Sequence, residues 1–501
     1  MLPTRIKHLT LALTTGLLTL SALSCSDKRL NPVPQILLPD DAAFDTPSRV
    51  ALQVNNIYAY TKAGGFLGGR VQIFGDIRAN DFLNLTSNAV TGLTVWNNTL
   101  TEQSQNDVIN TWGFGYAAIN QVNVFLAGLE TNKAAFVAPI FPATYATTVL
   151  NYQAEARLLR ALCYYHLLQF YARPFADGNG SKPGLPLRLT AETSRTNNNL
   201  ARSPVSKVYE QILLDLNFAE QNLPLTYTGS TAPTLNVTRA HRNTAIALKS
   251  RVMLTMGNWG EVITEANKLV PAAAPYVAAS GVANGLNASV GAVFAPPQET
   301  SENILAFPFT AQDPPGTQNQ LAFYYLPSAL GGNGEYSLNT RAGGLVTDPR
   351  WAATDERRTN FVATVTAGTF WRKFPTGTPY TDKAPVIRYA EVMLNLAEAL
   401  VRSTNSVSPR AVELLNAVRG RSKGGQYALT DFASPTALTD AILFERRVEF
   451  LGEGLRNTDL LRLLQSIPAK GSVGVTDPSS GQYIWPIPNT ELAANNLMTR
   501  N

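Results

Sequence analysis

The sequence predicts a mostly α-helical protein in which helices pair into a scaffold and carry a long-loop, irregular lobe. Three observations lead there. Apolar residues recur at helical spacing along most of the chain. Some of these segments come as antiparallel pairs of about 34 residues, the length of a tetratricopeptide-type unit. Two stretches, 78–105 and 271–382, break the pattern; the first is rich in Asn and Thr, the second in Gly, Pro, Thr and aromatics. Irregular segments of that length usually carry function.

The elements follow in order. Residues 46–61 open on a Thr46/Ser48 cap and place Val50, Val54 and Ile57 on one face. NTWGFGYAAINQVNVFLAGL forms a second helix. In NYQAEARLLRALCYYHLLQFYA, Leu158, Leu162 and Tyr165 line one side while Leu159, Cys163 and Phe170 line another. A helix apolar on two sides is buried between neighbours. Pro204 starts the next helix, with Val208, Ile212, Leu216 and Ala219 inward. Gly257-Asn258 then separates two helices, the first burying Ala247, Leu248, the stem of Arg251 and Leu254, the second Val262, Ala266 and Leu269. A later pair, APVIRYAEVMLNLAEALVRS and RAVELLNAVRGRS, turns at Pro409. Near the C-terminus, Phe444, Val448 and Leu451 make a helix face, Gly452 and Gly454 end it, and Asn457 or Thr458 is expected to cap the next helix.

The first residues have a different character. Arg5 and Lys7 precede LTLALTTGLLTLSAL, an uncharged apolar run from Leu9 to Leu23. A basic start followed by a short apolar core is a secretory signal, too short to span a bilayer comfortably. It ends in Ala22-Leu23-Ser24-Cys25, which resembles a bacterial lipobox with Ala22 in place of the usual leucine. Cys25 is thus the expected lipidation site, with acyl chains holding the protein on a membrane. SDKRLNPVPQ suits a tether. The expected organisation is a lipoprotein signal peptide (1–24), a lipidated N-terminus and tether (25–40), an N-terminal helical region (41–270), a loop-rich ligand lobe (271–382) and a C-terminal helical region (383–501).

Composition excludes several functions. The net charge is +5, and +3 without Arg5 and Lys7. It is dispersed, so no nucleic-acid partner is expected. The chain has three histidines, and His166 and His241 lack ligands at metal spacing. No HExxH, GxSxG, P-loop or GxGxxG occurs. No metal, cofactor or catalytic residue is therefore assigned. The remaining enzymatic option is a glycosidase-like Glu pair, with Glu445 and Glu449 on one helix face. Arg388, Glu391, Asn395, Glu398 and Arg402 form a similar polar stripe. Spacing favours internal ion pairs for both. Neighbouring arginines would hold these carboxylates ionised, whereas a general acid needs a raised pKa.

Several segments together resemble one family. IRYAEVMLNLAEAL, LLNAVRGRS, ERRVEFLGEGLRNTDLLR and WPIPNTELAANN are similar to the C-terminal signature of SusD/RagB lipoproteins. EARLLRALCYYHLLQFYARPF, FGDIRANDF, WGFGYAAINQVNVFL and SKVYEQILLDLNFAEQNLP match upstream, although Ala172 replaces the usual glycine of the family's turn. The resemblance covers essentially the whole mature chain. It implies four tetratricopeptide-like pairs scaffolding a ligand lobe. It also implies a lipid-anchored protein of the outer membrane, facing the exterior, that binds an oligomeric nutrient and delivers it to a SusC-like TonB-dependent transporter without cleaving it. An oligosaccharide or polysaccharide is the foremost ligand, a peptide the alternative. A glycoside hydrolase and a pure interaction scaffold are the rival readings.

No motif carries the family's ligand residues over, so chemistry guides the choice. Sugars stack on exposed aromatics flanked by amides. Trp96, with Asn97 and Asn98, in the first irregular stretch, and Tyr324, Tyr325, Tyr336, Trp351 and Trp371 in the second, are the candidates. Trp112 and Trp259 are read as helix-packing residues, Trp485 as part of a structural terminus, and Asp76 and Asp81 as cap and turn residues. Arg388, Glu391, Glu398, Glu445, Arg446, Glu449, Arg456 and Asp459 are expected to form an internal ion network that locks the last helices onto the scaffold.

Overall fold

The computed structural model describes residues 40–194 and 196–501. The signal segment, Cys25 and most of the tether lie outside them. A 3-10 turn (Asp40–Phe44) leads into α1 (Pro47–Thr61), α2 (Arg70–Ile77), β1 (Phe82–Asn84) and α3 (Leu93–Asn97). The long helices α4 (Asn110–Thr131), α5 (Tyr145–Tyr171) and α6 (Val205–Asn222) follow, then α7 (Ala232–Thr238), α8 (Arg242–Met256) and α9 (Trp259–Ala266). The irregular region contributes α10 (Val290–Phe294), β2 (Asn303–Phe307), α11 (Leu321–Tyr325), β3 (Tyr336–Leu338), α12 (Glu356–Phe361), β4 (Val362–Val365) and β5 (Gly368–Trp371). Finally β6 (Ala384–Arg388) runs into α13 (Tyr389–Thr404), α14 (Pro409–Arg421), α15 (Pro435–Glu449), α16 (Leu455–Arg462) and α17 (Asn489–Ala494).

The scaffold is mostly α, as the sequence predicts. Helix α1 packs on α4, α5 on α6, α8 on α9 and α13 on α14. The pairs join through α4 on α5, α6 on α8 and α9 on α13. Each helix thus contacts mainly its neighbours, the logic of a tetratricopeptide-like array. Local chemistry sets the turns. Gly257, at φ 73°, closes α8, and the Asn258 side chain accepts from the Glu261 amide to start α9. Ser408 caps α14 at the Ala411 amide, with Pro409 in the first turn. On α5, Leu158, Leu159, Leu162, Cys163, Tyr165 and Phe170 are all buried, so both apolar sides are covered. Each fully buried leucine contributes about 1.5–3 kcal/mol, so packing more than propensity holds this helix.

The irregular lobe is tied by short sheets. β1 pairs antiparallel with β3, which joins the two loop stretches. β2 pairs antiparallel with β6, and β4 with β5. One local expectation fails. Helix α16 begins at Leu455 behind Gly454, so Asn457 and Thr458 lie inside it and do not cap it. The reason is close packing. A Cβ on Gly75 of α2 would stand 2.1 Å from the Gly454 carbonyl oxygen, so the turn must approach as bare backbone.

Candidate functional site

The aromatic side chains of the lobe are mostly structural. Trp96 is 7% exposed and its indole N–H donates to the Phe82 carbonyl at 2.9 Å. Asn98, also buried, donates from Nδ2 to Thr476 Oγ1 at 2.9 Å. Tyr324, Tyr325 and Tyr336 are fully buried. Their hydroxyls donate to the Gln318 carbonyl, Asp76 and the Thr91 carbonyl, respectively. Trp351 is 1% exposed and packs edge-on against Trp371, whose indole donates to the Leu451 carbonyl at 2.9 Å. The choice of these residues as ligand contacts required exposure, and the structure buries Trp96, Asn98, Tyr324, Tyr325, Tyr336, Trp351 and Trp371 and leaves Asn97 half-buried. The physical reason is the loops' own need for a core. With few strands or helices, the lobe closes on aromatic area and ties most of the polar tips to backbone or side-chain groups elsewhere in the fold. Trp112 packs between Tyr116 and Tyr171, Trp485 between Phe170 and Phe74, and Trp259 lies under Arg402.

A different aromatic pair stays accessible. In α11, Leu321, Ala322, Tyr324 and Tyr325 point inward, and only Phe323 is half-buried. It meets half-buried Tyr380 edge to face, with ring centroids 6.1 Å apart. Two loops bring them together. A Cβ on Gly331 would touch Gly377 Cα at 3.3 Å, so the backbones abut. The Asn333 and Gly334 amides donate to the Phe323 carbonyl at 3.0 and 3.2 Å. Ser328 and Thr378 are exposed on the same two loops. Two ring faces beside hydroxyl-bearing loops suit the apolar C–H face and the hydroxyls of a sugar. Sequence periodicity gave no sign of this pair, because a five-residue helix is too short to show its phase.

The carboxylates near the C-terminus converge in a dry ion network. Arg388 bonds Glu302 at 2.5 Å, Glu449 at 2.9 Å and Glu453 at 2.6 Å. Arg421 bonds Glu449 at 2.5 Å and also reaches Glu302. Arg357 bonds Asp355 at 2.7 Å and Glu449 at 2.9 Å, and pairs with Glu445. Arg419 reaches Glu445 at 3.1 Å and Lys373 reaches Glu453 at 2.6 Å. A second cluster links Arg446 to Asp459 at 2.9 Å and Asn395 at 2.6 Å, Asp459 to Arg462 at 2.8 Å, and Arg462 and Arg402 to Glu398 at 2.7 Å each. Glu391 pairs with Arg251 of α8 at 2.5 Å and not with its own stripe. Arg456 is the exception to the expected network. It makes no ion pair among the described residues, and burial together with Arg447 lowers its pKa to about 10. Its neighbour Asp81 is held by Arg447 instead.

This arrangement does not make an acid catalyst. Burial alone would raise the Glu449 pKa. Arg421, Arg388 and Arg357 outweigh it and hold the carboxyl well below the usual range. Among the described residues, no three His, Cys, Asp or Glu side chains converge as a metal site, and no helix is long and apolar enough to cross a membrane. Cys163 is buried, and burial pushes its thiol up to about 12. An open cavity of about 790 Å³ lies among α4, α5 and α6; Arg157 there sits 4.0 Å over the Phe218 ring.

Comparison with known proteins gives a consistent result. Residues 365–501 match the SusD family, and residues 41–254 match a family described as starch-binding and associating with the outer membrane. A SusD-like protein of Formosa agariphila is 24% identical, over 97% of both chains. A SusD-like carbohydrate binding protein of Bacteroides vulgatus shares the fold, with TM-score 0.71 and 17% identity over 91% of this chain and 98% of the other. A SusD superfamily protein of Bacteroides fragilis superposes with TM-score 0.78 at 30% identity, over 91% of this chain and 99% of the other. Together with the paired-helix scaffold and its loop lobe, this shows that the chain belongs to the SusD superfamily.

Proposed function

We propose that this chain is an outer-membrane lipoprotein, anchored through Cys25 and facing the exterior, that binds a glycan and passes it to a SusC-like TonB-dependent transporter. The observation that carries the reading is membership of the superfamily along nearly the full chain. The description of the N-terminal family as starch-binding supports a carbohydrate over a peptide. The Phe323/Tyr380 pair supplies a contact surface. The reading is binding without cleavage, because the Glu445/Glu449 pair is buried among arginines that hold Glu449 ionised.

The test is isothermal titration of the purified chain against a panel of polysaccharides and peptides, with affinity pull-down of its membrane partner. Saturable binding of one polysaccharide, no release of reducing ends and co-purification of a large β-barrel are expected. Binding of peptides alone would reassign the ligand. No binding and no barrel would overturn the proposal. Loss of affinity in Arg157→Ala with full affinity in Phe323→Ala would move the site to the helical groove.

A further inference from the structure

One surface loop, between α4 and α5, is apolar to its tip. From Ala134 to Ala154, twenty-one consecutive residues carry no charge. The loop between α4 and α5 lies within this run. Phe136, Phe141 and Tyr145 form its base, with Phe136–Phe141 and Phe141–Tyr145 centroids 5.0 and 4.7 Å apart. Above this base the tip Val137-Ala138-Pro139-Ile140 is exposed, Val137 by 59% and Ile140 by 60%.

The tip's backbone is satisfied in part within the loop, and its other polar groups would meet the hydrated headgroup layer, which can hydrogen-bond them. Pro139 and Pro142 have no N–H to leave unpaired. The Val137 amide donates to the Ala135 carbonyl at 2.8 Å and the Phe141 amide to the Val137 carbonyl at 3.1 Å. No side chain from Val137 to Pro142 has a polar atom. A protein partner would be met with a polar rim and about one hydrogen bond per 100–200 Å². A bilayer boundary demands neither, and it takes up exposed apolar side chains.

The loop also sits where the tether meets the body. Phe44, at the end of the first turn, stacks on Phe125 of α4 at 6.2 Å, and a Cβ on Gly128 would come within 2.2 Å of its ring. The loop begins within one helical turn of Gly128, whose carbonyl accepts from the Asn132 amide at 3.1 Å. Fourteen residues separate Cys25 from Asp40. A chain of that length spans at most about 50 Å.

We propose that the tip Val137–Ile140 is a second membrane contact, dipping into the interfacial layer of the bilayer that holds the anchor. It rests on the lipoprotein reading above for its location and on the loop's own geometry for its chemistry. It would fix which side of the body faces the membrane, something an anchor at one point alone does not do.

Full-length chain carrying Ile140→Cys is labelled there with an environment-sensitive fluorophore. It is mixed with 3:1 phosphatidylethanolamine–phosphatidylglycerol vesicles. The acylated protein is expected to show a blue shift of the label. In the unacylated Cys25→Ser chain, adding Val137→Ser and Ile140→Ser is expected to lower vesicle partitioning at least tenfold, with an unchanged melting temperature. A label that stays water-exposed on vesicles overturns the proposal. So does a blue shift without vesicles that grows with protein concentration, which would mean that a second copy covers the loop. Failure of the lipoprotein reading is read separately, as absence of acyl mass on Cys25, and leaves the Cys25→Ser comparison valid.

Discussion

Replacing Glu449 by Gln removes one negative charge and almost no volume from the buried network. In the native protein, Arg357, Lys373, Arg388, Arg419 and Arg421 face Asp355, Glu302, Glu445, Glu449 and Glu453, so five cations meet five carboxylates. The variant leaves one buried positive charge without its partner. Breaking a buried pair in this way costs about 3–5 kcal/mol. Unfolding entropy of about 2.1 cal/mol/K per residue gives roughly 1 kcal/mol/K for a body of this size. The melting temperature should therefore fall by about 3–5 °C, as read by calorimetry at pH 7.5. The sign of the pH dependence gives a sharper check. Arg421, Arg388 and Arg357 depress the folded pKa of Glu449 despite its burial, so its stabilisation is complete above the unfolded value of about 4.3 and is lost as pH falls through the folded one. The gap between wild type and variant should be constant above about pH 5 and narrow below about pH 4. A melting temperature within 1 °C of wild type at pH 7.5, or a gap that does not change with acid, would refute the reasoning.

Arg456→Ala removes a cation with no ion pair, so it should shift the melting temperature by less than about 1 °C, well short of Glu449→Gln. Burial pushes Asp107 up to about 6, against the Thr94 hydrogen bond and Arg70. A raised carboxyl binds its proton more tightly when folded, so it favours folding at acid pH and loses that contribution as pH rises through about 6. Asp107→Asn should therefore be the more stable protein at pH 8, by up to about 2 kcal/mol, and lose the advantage by about pH 4 in urea titrations. Gly75→Ala places a methyl group against the Gly454 carbonyl and should cost about 1–3 kcal/mol, seen as a lower urea midpoint. Phe323→Ala and Tyr380→Ala should each weaken polysaccharide binding about three- to tenfold in calorimetric titration, with little change in melting temperature, because each half-buried ring offers one stacking face.

Local chemistry made the helices and their turns legible. The Gly257-Asn258 and Ser408-Pro409 junctions act through groups only a few residues apart, so spacing alone exposes them. The polar stripe of α13 was legible as a stripe, but its partners were not. Glu391 bonds Arg251, 140 positions away, and Glu302 reaches Arg388 and Arg421 across the lobe. The aromatic residues of the loops misled for the same reason. A tyrosine in an irregular stretch has the same composition signal whether it faces water or forms the lobe's core.

The sequence by itself determined the helical class and the pairing of helices, because each follows from periodicity or from a short contiguous motif. Tertiary structure alone decided that Tyr324 and Tyr325 turn inward while Phe323 stays at the surface beside Tyr380. It also decided that Arg456 is left out of a network its neighbours join. Burial and ion pairing depend on which distant segments meet, and that meeting is fixed by the packing of the whole body.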